Sequence, residues 1–171
     1  MSAGRRWRWV ASALVAGVLV AGCQAPRPEV TFFGNRTSVD TGPTQWCQID
    51  QARLSFDCTD TTPDDIPRLA LKSGDHVQIN VPAAIGDTPW WVYFRYLTAD
   101  GTLADGRTPL FSDGRLAYTL SPLTAQDQLT YVEVQSDFVP GLDEEGAVTI
   151  RPTHRWLLLI DPLTGATAQQ Q

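Results

Sequence analysis

Nucleophiles, imidazoles and carboxylates are few in this chain: three cysteines, two histidines and nineteen acids among 171 residues. A nucleophilic serine needs an elbow such as G-x-S-x-G and a histidine partner, and no such elbow is present. Ser73 in "KSGD" and Ser112 in "FSDG" stand at glycine-containing turns and read as turn residues. His76 falls on the polar side of an alternating stretch, and His154 follows Pro152 at a strand entrance. Both read as solvated or hydrogen-bonded side chains. Asp57, Asp60, Asp64 and Asp65 in "DCTDTTPDD" concentrate hard oxygen ligands, but the order and glycine of an EF-hand loop are missing. A solvated acidic loop is the better reading, and the run from Asp143 to Glu145 reads the same way. A blue-copper centre takes two histidines, a cysteine and, as a rule, an axial methionine, yet the sole methionine is Met1. No catalytic set, metal site or cofactor motif emerges, and the chain reads as non-enzymatic.

The cysteines say more. Cys23 stands in "VLVAGCQAPRP", residues 18–28, after Arg5, Arg6, Arg8 and an uncharged run from Val10 to Gly22. A basic stretch followed by a short apolar one is the layout of a secretory signal. Thirteen residues of helix reach about 20 Å, short of a hydrocarbon core about 30 Å thick. Val20-Ala21-Gly22-Cys23 resembles the bacterial lipobox. That resemblance implies cleavage before Cys23 and a diacylglyceryl group on its sulfur. The competing reading is an ordinary signal peptide with an incidental cysteine. Residues 1–22 are then a lipoprotein signal peptide and 23–28 a short tether, stiffened by Pro26 and Pro28. From Cys23 to Glu29 an extended chain spans only about 25 Å, so the folded part rides close to the outer leaflet. Lipidation leaves Cys47 and Cys58 as a pair, and an even pair outside the cytoplasm is expected to form a disulfide. "CQIDQARLSFDC" can fold back as a hairpin with its turn in Asp50 to Arg53.

Loss of the signal removes three arginines and no acid, which moves the formal charge from −6 to −9. A domain this acidic is not expected to bind nucleic acid, where phosphate contact needs clustered cations. Its hold on a membrane would be the lipid alone.

Period-two alternation supplies the elements. Val77, Ile79 and Val81 alternate with His76, Gln78 and Asn80 in "DHVQINVP". "PWWVYFRYL" puts Trp90, Val92, Phe94 and Tyr96 on one side and Trp91, Tyr93, Arg95 and Leu97 on the other. "RLAYTL" groups Leu116, Tyr118 and Leu120; "LTYVEVQ" sets Val132 and Val134 against Tyr131 and Glu133. "AVTIRP" points Val148 and Ile150 inward, and "RWLLLID" is apolar on both sides and central. Asp100-Gly101, Asp105-Gly106 and Asp113-Gly114 suit tight reversals. Twelve prolines discourage long helices, and "LTAQDQ" offers at most one helical turn. The expected fold is all-β, an immunoglobulin-like antiparallel β-sandwich over residues 29–163 with a disordered tail at 164–171. Cys47 and Cys58 stand too close in sequence to bridge two sheets as in antibody domains.

The lipobox cysteine, "WCQID", "FDC", "SGDHVQINVP", "DTPWWVYFRY", "ADG", "YTL" and "DQLTYVEVQ" occur in order across the mature chain. In this the chain resembles an uncharacterised family of actinobacterial lipoproteins, a domain-of-unknown-function family. The resemblance implies a cell-membrane, extracytoplasmic location and brings no activity, cofactor or catalytic residue. The expected function is a membrane-anchored interaction module for an unidentified envelope protein or ligand. The alternative is a carrier of a small lipid or glycan held between the sheets. Trp91, Tyr93 and Arg95 are the candidate interaction face, because these residue types concentrate at binding hot spots. Tryptophan's usual burial weighs toward the competing view that a loop or the N-terminal segment covers this side.

Overall fold

The computed structural model describes residues 26–50, 55–142 and 145–163. Cys23, the signal stretch, residues 51–54 of the expected turn, Asp143, Glu144 and the tail lie outside the described residues.

Two sheets pack face to face. The first holds β1 (Val30–Gly34), β2 (Thr37–Thr41), β6 (Val77–Asn80) and β9 (Ala117–Leu120), in the order β2-β1-β6-β9. The second holds β3 (Gln45–Asp50), β4 (Ser55–Asp60), β7 (Trp90–Leu97), β8 (Leu103–Arg107), β10 (Gln128–Leu142) and β11 (Val148–Pro162), in the order β4-β3-β11-β10-β7-β8. A further strand, β5 (Arg68–Leu71), runs parallel to the end of β11, with Arg68 opposite Leu159. β6 and β9 lie in one sheet and β8-β7-β10-β11 in the other, the two-sheet division expected of an immunoglobulin-like sandwich. All other pairings between strands are antiparallel.

The alternation read from the sequence becomes the core. Val77 and Ile79 of β6 meet Trp90, Val92, Val132, Val134, Trp156 and Leu158 from the second sheet, all fully buried. Trp90 lies edge-on to Phe111 with ring centres 4.7 Å apart, a favoured aromatic arrangement. β11 is central, with β10 on one side and β3 and β5 on the other, which is why "RWLLLID" carries apolar residues on both sides.

Several expectations change. Val148 and Ile150 are 80% and 48% exposed, not inward. They belong to the outer half of the β10–β11 hairpin, past Asp137, which takes a positive φ of 52°, and no layer covers them there. The same extension makes β11 begin at Val148, so His154 lies well inside the strand. Leu116 is exposed ahead of β9, while Tyr118 and Leu120 turn toward the core. Asp105-Gly106 is no reversal: it lies inside β8, with Asp105 opposite Arg95 and Gly106 opposite Phe94. A Cβ at Gly106 would stand 2.4 Å from the Phe94 ring, so this glycine makes room for an aromatic side chain. The sharp turn of that hairpin is Asp100-Gly101, with Gly101 at φ 84°. "LTAQDQ" makes a hydrogen-bonded turn, and among the described residues an α-helical turn is found instead at α1 (Ala83–Gly86), behind Pro82.

Candidate interaction face

The outer side of β8-β7-β10-β11 gathers charged and aromatic residues in rows set by register. One row runs Arg107, Tyr93, Glu133, Leu157; the next runs Asp105, Arg95, and beyond it Tyr131 and Leu159. A third brings Trp91, Gln135 and Arg155 side by side. Alternation along β7 therefore does place Trp91, Tyr93 and Arg95 together, away from the core.

Their exposure is unequal. Arg95 is exposed and ion-paired to Asp105, Nε to Oδ1 at 2.7 Å. Tyr93 is half-buried; burial pushes its hydroxyl pKa up, the hydrogen bond and charge of Asp105 add to this, and Arg95 pulls the other way. The Arg95 guanidinium, hydrogen-bonded by Asp105 and Tyr93, in turn holds the Asp105 carboxyl below the ordinary aspartate range. Trp91 is only 5% exposed. Its ring packs 4.3 Å from that of Phe138, the Arg107 guanidinium lies 4.0 Å over it, and its indole N–H donates to Gln135. Among the described residues this cover comes from neighbouring strands of its own sheet. Trp91 is the floor of the face, while Tyr93 and Arg95 are its surface.

Glu133 is the residue whose role the sequence did not reveal. It points outward by alternation yet is 3% exposed. Tyr131 donates its hydroxyl to Oε2, Gln135 donates Nε2 to Oε1 at 2.8 Å, and Arg155 Nε stands 3.5 Å from Oε1. Burial holds the carboxyl pKa above the ordinary glutamate range, against the pull of the Gln135 hydrogen bond and the Arg155 charge. Trp91, Gln135, Glu133 and Tyr131 thus form one continuous hydrogen-bonded chain. Over it lies an open cleft of about 350 Å³ lined by Tyr93, Arg95, Tyr131, Glu133, Gln135 and Arg155. The sequence signal for this network is the polar series Tyr131, Glu133, Gln135 at period two; Arg155 could be added only with the register known.

The other chemistry-bearing residues lie apart from this face. Cys47 and Cys58 face each other in the β3–β4 hairpin and are joined as a disulfide. The described register of this hairpin runs from Gln45 opposite Asp60 to Asp50 opposite Ser55. His154 stacks flat on Trp46 at 3.6 Å, with Nδ1 2.5 Å from Asp137 Oδ2 and Nε2 3.2 Å from the Cys47 carbonyl. It is a hydrogen-bonded histidine, and His76 is exposed just ahead of β6. Asp57 and Asp60 belong to β4, while Asp64 and Asp65 belong to a 3₁₀ turn at Pro63–Asp65. Among the described residues no group of three or more His, Cys, Asp or Glu is placed to hold a metal ion. Among the same residues no helix is long and apolar enough to cross a membrane.

No curated protein and no solved structure matches the chain. A family model does, over residues 23–161, under the description protein of unknown function (DUF2771), and the chain belongs to that family.

Proposed function

We propose that the protein is a lipid-anchored, extracytoplasmic interaction module of the bacterial cell envelope, without enzymatic activity, that meets its partner through the outer side of β7, β8 and β10. The anchor is Cys23: a basic stretch, an uncharged apolar run and the small residues Ala21 and Gly22 precede it, and the family match starts at that cysteine. The observation that carries the contact surface is the Tyr93–Arg95–Asp105 cluster beside the cleft over Glu133. Tyrosine and arginine supply rigid area with polar ends, the combination that dominates binding energy at interfaces. Beneath them the Trp91–Gln135–Glu133–Tyr131 chain, with Trp91 and Glu133 buried, ties the strands together, so the surface is preorganised. Against a carrier stands the burial of the large side chains Trp90, Trp156 and Phe32 between the sheets, where a carrier's cavity would have to lie.

The test is chemical crosslinking from the surface of living cells, followed by mass spectrometry, with the parent chain and an Arg95→Ala, Tyr93→Ala pair. These side chains are exposed or half-buried, so the variant is expected to fold. Its partner crosslinks should fall several-fold while its denaturation midpoint stays near that of the parent. Crosslinks retained in full by a folded variant would overturn the assignment of this face.

A further inference from the structure

Three exposed arginines find their acceptors within the chain. Arg68, Arg95 and Arg115 each reach both oxygens of one carboxylate with two nitrogens, on Asp161, Asp105 and Asp113 respectively. Arg155 does not. Its Nε is buried and, among the described residues, has no hydrogen-bond partner. Glu133 Oε1 lies 3.5 Å away, near enough for attraction between charges, yet no hydrogen bond joins the two. A buried donor without an acceptor is rare enough to need a reason.

The acceptors around Arg155 are already engaged. Gln135, opposite it in the β10–β11 register, takes the Trp91 indole N–H on its carbonyl and gives its amide N–H to Glu133 Oε1. The Tyr131 hydroxyl donates to Oε2. Burial also favours the neutral form of Glu133, which weakens its hold on a cation. The Arg155 side chain is nevertheless 41% exposed and lines the open cleft of about 350 Å³. Its outward donors can therefore be met from outside the chain. Tyr93 and Tyr131 line the same cleft, with ring centres 5.9 Å apart and planes nearly perpendicular.

We infer that this cleft receives a carboxylate side chain of a protein partner, held by the Arg155 guanidinium with its carbon stem against the Tyr93 and Tyr131 rings. The inference rests on the outer side of β7, β8 and β10 being the contact face, and it names the chemistry that face selects. A planar guanidinium offers paired donors that match the two oxygens of a carboxylate, as three other arginines of this domain already do. A single negative charge fits best. Arg95 and Asp105 neutralise each other, which leaves Arg155 as the cation to be matched. The formal charge of −6 over the sequence opposes a doubly charged group more than a singly charged one.

The isotope-labelled full chain, held in detergent micelles, is titrated with acetyl-Gly-Glu-Gly-amide, acetyl-Gly-Gln-Gly-amide and inorganic phosphate, and followed by NMR. The Glu peptide should shift the Arg155 Nε–H and Tyr93 resonances saturably, and the Gln peptide should bind several-fold more weakly. That comparison needs no variant. Arg155→Gln should lower affinity for the Glu peptide several-fold with the other backbone resonances in place. Arg155→Lys, which keeps the charge and loses the fork, should fall between. Equal binding of the two peptides at Arg155 and Tyr93 would overturn the carboxylate and leave the face standing, and so would phosphate binding there more tightly than the Glu peptide. A Glu peptide that shifts no resonance would also overturn the carboxylate, while the crosslinking of Arg95→Ala, Tyr93→Ala decides the face separately. Glu-peptide shifts confined to residues off this side of the sheet would overturn both.

Discussion

Trp91 and Glu133 show how a side chain turned away from the core can still be buried. Trp91 is covered by Phe138, Arg107 and Gln135, each delivered by a neighbouring strand. Truncating a buried tryptophan removes its transfer energy and leaves a cavity, so Trp91→Ala should lower stability by about 3–5 kcal/mol. Chemical denaturation measures this, and a loss within the scatter of surface substitutions would mean that the cover is not formed in solution. Glu133 makes a second expectation, with a defined sign. A carboxyl whose pKa is raised by folding binds its proton more tightly in the folded state. Stability therefore falls as pH rises from the ordinary glutamate range through the raised value, and stays lower above it. Glu133→Gln cannot ionise, so its denaturation midpoint should gain on the parent as pH rises above the ordinary glutamate range. Exposed carboxyls such as Asp105 titrate in both proteins and drop out of the difference. A midpoint difference that does not change with pH would contradict the burial of Glu133. Alternation gave the direction of both side chains; their burial depends on Arg155, Arg107 and Phe138, which no local pattern brings beside them.

At the scale of elements, strand segments were legible where β-branched and aromatic residues alternate, as in β6, β7 and the inner halves of β10 and β11. Less of the hairpins could be read. Asp105-Gly106 carries turn chemistry in its residue types but serves β8, because its glycine faces the Phe94 ring and its aspartate faces Arg95. Val148 and Ile150 alternate as a core strand does, yet the hairpin runs past the end of the sandwich. Length decides this, and alternation does not encode it. The β3–β4 pair was legible from two cysteines and the expected compartment. β4 is an edge strand exposed along its length, so the cross-link is a main tie holding it. With the cysteines 11 positions apart, closing the loop is worth about 3 kcal/mol. Cys47→Ser with Cys58→Ser should lower stability by about that amount. Hydrogen exchange should then show β4 amides losing protection while β10 and β11 keep theirs. Two freely alkylated thiols in the unreduced, unfolded parent would contradict the bond itself.

The whole molecule is an acidic sandwich with formal charge −6 over the full sequence and −9 without residues 1–22. Anionic headgroups repel such a domain, so the proposed membrane attachment would have to come from acyl chains. One chain holds a protein only marginally, and two or more hold it stably. Fold class was legible at this scale because strand patterns, turn signals and prolines agree; the partner was not, because an interaction face is a surface assembled from several strands. The measurement that bears most directly on the account is cell fractionation of the parent and Cys23→Ser, with intact-mass analysis of each. The parent should sediment with membranes and carry a diacylglyceryl mass on a chain that begins at Cys23, while Cys23→Ser should leave the membrane pellet. A Cys23→Ser protein that stays as tightly bound as the parent, or a parent without that mass, would contradict it.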